Sequence, residues 1–239
     1  MKMTKRLAVL RTLGVAAASL LIVMVSGVAR AFVDPVLACQ VAKVTAAAKR
    51  ADCLAKQQIA ALKGKTTNFK RCEDDFDAAI AAADAEAATQ GAACRYVDNG
   101  NGTITDLNNL LMWEKKGAGN VDDKYTWATA MGDWISQVNG TASGASPNPM
   151  PQPGLAGYND WRLPSIVDLQ SILLAPFPCS SSPCIETTFG PVALGHYWSS
   201  TSHTTSPETG AWEVDFTDGW INSRSKGDAL HVRAVRSGR

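Results

Sequence analysis

Hydrophobic and polar positions along the chain change period several times, and each change marks an element. Residues 38–63 and 69–90 are alanine-rich, free of proline and split by Gly64-Lys65-Thr66-Thr67-Asn68, which predicts two helices joined by a turn. On the first, Val41, Val44, Ala48, Ala51, Ala55 and Leu62 recur at three- and four-residue steps; on the second, Phe69, Cys72, Phe76, Ile80, Ala83 and Ala87 do. These stripes are expected to face each other in an antiparallel hairpin. Lys43, Lys49, Arg50, Lys56 and Lys63 then lie opposite Glu73, Asp74, Asp75, Asp77, Asp84 and Glu86.

Beyond Cys94 the pattern becomes that of a mixed domain. Tyr96-Val97-Asp98 and Thr103-Ile104-Thr105-Asp106 flank Asn99-Gly100-Asn101-Gly102, a hairpin signal. Tyr125 to Val138 carries Trp127, Ala130, Met131, Trp134, Ile135 and Val138 at helical spacing, with both tryptophans expected inside. Residues 139–157 show no period and read as a long loop. Ser165 with Asp168 three positions later predicts a capped helix running to about Leu174. Tyr197–Thr201 and Ala211–Phe216 are strand-like; Trp212, Val214 and Phe216 alternate with Glu213 and Asp215, as expected of a sheet with one buried and one polar face. Asp218-Gly219 is a hairpin turn, and Trp220–Ser223 with Leu230–Arg236 completes an antiparallel set.

The start of the chain changes the compartment. Lys2, Lys5, Arg6 and Arg11 precede an apolar run from Leu13 to Val28 that ends in Ala29-Arg30-Ala31, the pattern of a secretory signal, so residues 1–31 are expected to be removed. Lipidation of Cys39 is a rival, but Asp34 and Pro35 interrupt the apolar region before it. Removal leaves 18 basic against 22 acidic residues, a balance that disfavours nucleic acid as a partner and leaves no membrane-spanning segment.

Six cysteines in an exported chain read as disulfides. An antiparallel hairpin favours nested pairs, Cys53–Cys72 near the turn and Cys39–Cys94 at the open end, and Cys179–Cys184 closes a short loop of its own. None of the three histidines lies near the first four cysteines, so neither metal nor cofactor is expected. An EF-type reading of Asp98–Thr103 fails because its first position would be Val97 and its twelfth Asn108.

Four segments carry a resemblance. GTITDLNNLLMWEK (102–115), DWRLPSIVDLQSIL (160–173), YWSSTS (197–202) and AWEVDFTDGW with HVRAVR (211–236), in this order, resemble the Lcl C-terminal domain, the terminal module of collagen-like bacterial adhesins. The resemblance implies a C-type-lectin-like binding module: an α+β chain whose antiparallel β domain, with two helices and long loops, follows an α-helical hairpin. The resulting division is 1–31 signal peptide, 32–94 disulfide-stapled hairpin and 95–239 Lcl C-terminal-like domain. The family often has Thr-Gly near Asn108-Asn109 and Cys where Ala234 stands, so Cys179–Cys184 reads as private to this chain. Within Trp161-Arg162-Leu163-Pro164, Trp161 and Leu163 are expected inside, with Arg162 tied to a carboxylate or to strand carbonyls.

Binding is therefore expected rather than catalysis. The chain has no G-x-S-x-G, H-E-x-x-H or P-loop pattern, and a hydrolase built from His196, His203 or His231 with Ser199, Ser200 or Asp215 is the minority reading. Tyr158, Asn159, Asp160, His203, Glu208, Asp218, Trp220 and Asn222 are the candidate contacts for a glycan or a surface protein. Arg224, Lys226, Arg233, Arg236 and Arg239 form the one basic concentration. Lectin-like relatives include adhesins for sulfated polysaccharide, but residues 95–239 hold 10 basic and 14 acidic residues, so a neutral partner is expected here. The hairpin reads either as a spacer or homo-oligomerisation stalk, or as a helical pair packed on the next domain. A structural envelope module is the remaining alternative, with the periplasm, cell surface or exterior as location.

Overall fold

The computed structural model describes residues 34–141 and 154–238; the signal-like segment, the middle of the 139–157 loop and Arg239 lie outside the described residues. Helix α1 (Pro35–Leu62) and helix α2 (Phe69–Thr89) form the expected hairpin. Gly64 turns the chain at φ +66°, and Asn68 caps α2 by accepting from the Arg71 backbone N–H. Cys39–Cys94 closes the open end and Cys53–Cys72 the turn end, the nested pairs the hairpin argument favours.

The inward face of α2 is the predicted one apart from Phe69, which is exposed. The inward face of α1 differs. Cys39, Lys43 and Ala46 are buried, whereas Val41, Val44 and Leu62 face solvent. Two disulfides anchor α1 through Cys39 and Cys53, and those positions, not the valines, decide which side meets α2. Along that side Lys43 donates to Asp84, and Arg50 donates to both carboxylate oxygens of Glu73. Lys43 also donates to Asn108, and Leu110 packs against the Ala46, Phe76 and Ile80 cluster, so the hairpin is tied to the chain beyond Cys94.

Strands β1 (Tyr96–Asp98), β2 (Thr103–Asp106), β3 (Leu111–Glu114) and β9 (Val235–Ser237) form one antiparallel sheet in the order β1-β2-β3-β9. The second sheet runs β4-β8-β5-β6-β7, from β4 (Lys124–Tyr125), β5 (His196–Ser202), β6 (Gly210–Asp215), β7 (Ile221–Ser225) and β8 (Leu230–His231). All its pairings are antiparallel except β5 with β8, which meet in parallel at Tyr197 and His231. The Tyr125–Val138 segment is helical but uneven: α3 (Trp127–Thr129) passes through a π turn at Ala130–Trp134 into α4 (Ile135–Val138). Trp134 is buried, while Trp127 is half-buried and Met131 exposed. Helix α5 (Ile166–Ser171) starts with the predicted capping box and stops earlier than expected.

A core lies on each side of the second sheet. Adjacent residues on β5 divide between them, Tyr197 packing with Ile104, Trp113 and Phe189, and Trp198 with Trp134, Trp161 and Leu163. Period-two alternation sends neighbours to opposite faces, and here both faces are covered. That corrects the expectation of one polar face: Glu213 is fully buried, and Trp212 is only half-buried. Trp161 is locked by Asn139, whose side-chain amide donates to the Trp161 carbonyl at 2.9 Å and accepts from its N–H at 2.7 Å. Arg162 pairs with Asp168 at 2.7 Å, and its backbone bridges to Val235.

Candidate binding surface

The turn between β6 and β7 is built to hold one aromatic ring at the surface. Asp218 accepts from the Trp220 backbone N–H through its carboxylate, and Gly219 takes φ +83°. A Cβ on Gly219 would sit 3.4 Å from the Cys184 sulfur and 3.4 Å from the Ala175 carbonyl oxygen, so glycine lets the turn lie close against the 175–184 segment. That segment is closed by Cys179–Cys184 and strapped down by two backbone bonds, Cys179 N–H to Asp218 and Cys184 N–H to Phe216. Trp220 stays 45 % exposed, edge-on to the equally accessible Phe177 with ring centroids 4.4 Å apart.

Beside this pair lies a cleft of about 290 Å³ lined mainly by Leu173, Leu174, Pro176, Phe177 and Ile221, with Gln170 the polar group in the lining. Among the described residues no charged side chain lines it. The volume is near the low end for small-ligand pockets, enough for one sugar ring or one apolar side chain. Asp218 and Asn222 flank it through the chain positions on either side of Trp220, but part of each is committed: Asp218 caps the turn, and Asn222 accepts from the Ser223 N–H.

The other expected contacts are elsewhere. His203 stands past the far end of β5, its ring 5.0 Å from that of Trp212, and its backbone N–H donates to Gly210. Gly210 pairs with Ser225, at the end of β7 remote from Trp220, roughly 16 Å away along the strand at ~3.3 Å per residue. Glu208 is exposed near that far end. Tyr158 and Asp160 form a third place: Arg236 lies 3.8 Å over the Tyr158 ring and donates to both Asp160 oxygens, at 2.6 and 3.1 Å. The Arg236 hydrogen bond holds the Asp160 carboxyl below the usual carboxylate range. Asn159 next to it is exposed. The candidate contacts named from sequence thus fall at three separate places.

The basic concentration is not a surface patch. Arg233 is fully buried, donating to the carbonyls of Glu114 and Phe189, and Arg236 is buried against Asp160. Every residue from Leu230 to Arg236 is buried, and the two guanidiniums are accommodated there because carbonyls and a carboxylate accept from them. Arg224 donates to His196 Nε2, and Lys226 lies 3.7 Å over the Trp127 ring while donating to Ser202 and Pro207.

The histidines are similarly engaged. His196 Nδ1 meets Glu213 at 3.0 Å and Asp215 at 3.5 Å; burial pushes the Glu213 carboxyl up, while His196 and Arg224 oppose that rise. His231 is buried beside Tyr197, and burial together with Lys124 holds its pKa down. Ser199 donates to the Trp212 carbonyl, and among the described residues no serine hydroxyl bonds an imidazole nitrogen. Cys39, Asp84 and Cys94 cluster as metal ligands would, but the two sulfurs are bonded to each other and Asp84 accepts from Lys43.

The sequence reading missed Phe177, Leu173, Leu174 and Pro176. Phe177 between Pro176 and Pro178, two positions before Cys179, was the signal available: an aromatic in a clamped, helix-breaking loop cannot turn inward easily. Against known proteins, the family model of the Lcl C-terminal domain matches residues 102–236, which contain every strand of the second sheet and the whole cleft. No curated protein matches the chain.

Proposed function

We propose, from the premise that this chain belongs to the Lcl C-terminal domain family, that it is an exported, non-catalytic binding module of the adhesin type. Its contact point is the cleft beside Trp220. The observation that carries the reading is a half-exposed tryptophan held rigid by a disulfide-clamped loop. Ordinary folding would bury so large an apolar ring, and a preorganised one is a low-entropy anchor for a partner. Three disulfides, and no helix among the described residues long and apolar enough to cross a membrane, fit export to the periplasm, cell surface or exterior.

The lining favours an uncharged partner, either a neutral glycan whose apolar ring face stacks on Trp220 or an apolar side chain of a surface protein. A sulfated chain would find no cationic group there, because Arg233 and Arg236 are inside and Lys226 is held over Trp127. The family is one of non-enzymatic adhesin-type domains, and the engagement of both His196 ring nitrogens, by Glu213 and Asp215 on one side and Arg224 on the other, supports the same reading.

Arrays of neutral glycans and of surface proteins, probed with the oxidised chain and with Trp220→Ala, test this. The expected result is binding that falls at least about tenfold in the variant, while melting changes little because the ring is half in solvent. Undiminished binding by Trp220→Ala, or turnover of a tested glycoside, ester or peptide, contradicts the proposal.

A further inference from the structure

The outward face of α1 carries an apolar stripe with no partner among the described residues. Val41, Val44, Ile59 and Leu62 are 57 %, 49 %, 52 % and 88 % exposed, and the exposed Ala48, Ala51 and Ala55 continue the line between them. At ~100° per residue these seven positions fall within an arc of about 80°, and the Cys39–Lys43–Ala46 face is centred nearly opposite. The hairpin uses one side of α1 and leaves a second, ordered one. Four large exposed hydrophobics aligned on one helix are more than the scattered singles usual on a surface.

We propose that this face joins two copies of the chain, the two α1 helices packing antiparallel about a two-fold axis near Ala51 and Asp52. Side-chain size along the stripe reads nearly the same in both directions: large, large, three alanines, large, large. A two-fold axis at the middle therefore sets Val41 against Leu62 of the second copy, Val44 against Ile59 and alanine against alanine. That self-complementarity is what an isologous interface requires. The small central residues let the helix axes approach closely, and the larger ends close the seam.

Charge fixes the character of the contact. Asp52, already paired with Lys56 at 2.6 Å, sits at the edge of the stripe near the axis, where Lys49 of the second copy comes within about two residues of it along the seam. Lys49, Lys56 and Lys63 outnumber Asp52 on that rim, so the seam is held by apolar contact and the rim opposes it weakly. From Val41 to Leu62 the stripe spans roughly 32 Å at ~1.5 Å per residue. With a helix ~10 Å wide, it covers a few hundred Å² per copy, less than the ~800 Å² of a standard interface. The dimer is reversible and in the micromolar range, and it presents two C-terminal domains together. Such pairing strengthens weak contacts to a repeating surface.

Sedimentation equilibrium of the oxidised chain should show the average mass rising toward that of two chains between about 1 µM and 1 mM, with no weakening when salt is raised. Val44→Glu with Ile59→Glu should shift association to at least about tenfold higher concentration, with unchanged helicity and melting because both side chains are exposed. Mild oxidation should link Ala51→Cys to itself across the dimer, and Val41→Cys to Leu62→Cys of another chain. A single-chain mass throughout, association untouched by the double variant, loss of association in salt, or ready self-linking of Val41→Cys would each overturn the proposal.

Discussion

At the scale of single residues, the tryptophans divide into scaffold and surface, and the two kinds should respond oppositely to truncation. Trp161 is 2 % exposed, bracketed by Asn139 and donating through its indole N–H to Leu155. Trp161→Ala is expected to cost about 3–5 kcal/mol, the range for a large core aromatic, measured by thermal or denaturant unfolding. A loss below about 1 kcal/mol would contradict its place in the core. Carboxylates give a second expectation. Hydrogen bonds from Arg236 lower Asp160; burial alone would raise Asp168, but Arg162 and Ser165 bring it below the ordinary value. A lowered folded pKa contributes stability that is full above the unfolded value of ~3.9 and lost as pH falls through the folded one. Melting temperature should therefore drop as pH goes from about 5 to 2, and Asp160→Asn should flatten part of that drop. Trp161, Leu163 and Arg162 were legible through the family resemblance, whose Trp-Arg-Leu-Pro segment implies two side chains inside and a tied guanidinium between them. Arg233 was not, since a guanidinium inside a core depends on carbonyls of Glu114 and Phe189 that are remote in sequence.

At the scale of elements, the hairpin shows what local pattern does and does not decide. Alanine content, the lack of proline and the break at residues 64–68 predicted both helices, and a nested arrangement predicted their cysteine pairs. The pattern failed on the facing side of α1, because a stripe in one helix states that an apolar side exists and not what meets it. The bonds through Cys39 and Cys53 settled that by fixing rotation about the helix axis. Since the hairpin core is thin, the Cys39–Cys94 bond should matter most: replacing both cysteines by alanine is expected to cost about 2–5 kcal/mol, read from chemical denaturation. Peptide mapping without reduction should recover three linked pairs, 39–94, 53–72 and 179–184. A bond from Cys179 or Cys184 to any of the first four cysteines would contradict this architecture. The β5–β6–β7 set was legible too, through alternation and Asp218-Gly219. Its second covered face was not, because Glu213 and Asp215 look like solvent positions until His196 and Arg224 are brought beside them.

At the scale of the whole molecule, a disulfide-stapled hairpin precedes the part of the chain that carries the proposed contact cleft. Lys43, donating to both Asp84 and Asn108, links them. The candidate contacts named from sequence were chosen by residue type and divide into three places once the chain folds. Only Asp218, Trp220 and Asn222 fall at the cleft. They flank it; the lining itself comes from Gly219, Ile221 and residues of 170–177, whose position depends on the Cys179–Cys184 loop lying against the β6–β7 turn, a contact with no local sequence signature. The most direct test is a titration followed by the tryptophan indole N–H signals in nuclear magnetic resonance, with Trp220 assigned through Trp220→Phe and the strongest partner from the arrays as ligand. The account predicts that the Trp220 signal moves with saturation while those of the buried Trp161 and Trp198 stay in place. A still Trp220 signal alongside shifts at Trp212, near His203, would contradict it and place recognition at the opposite end of the sheet.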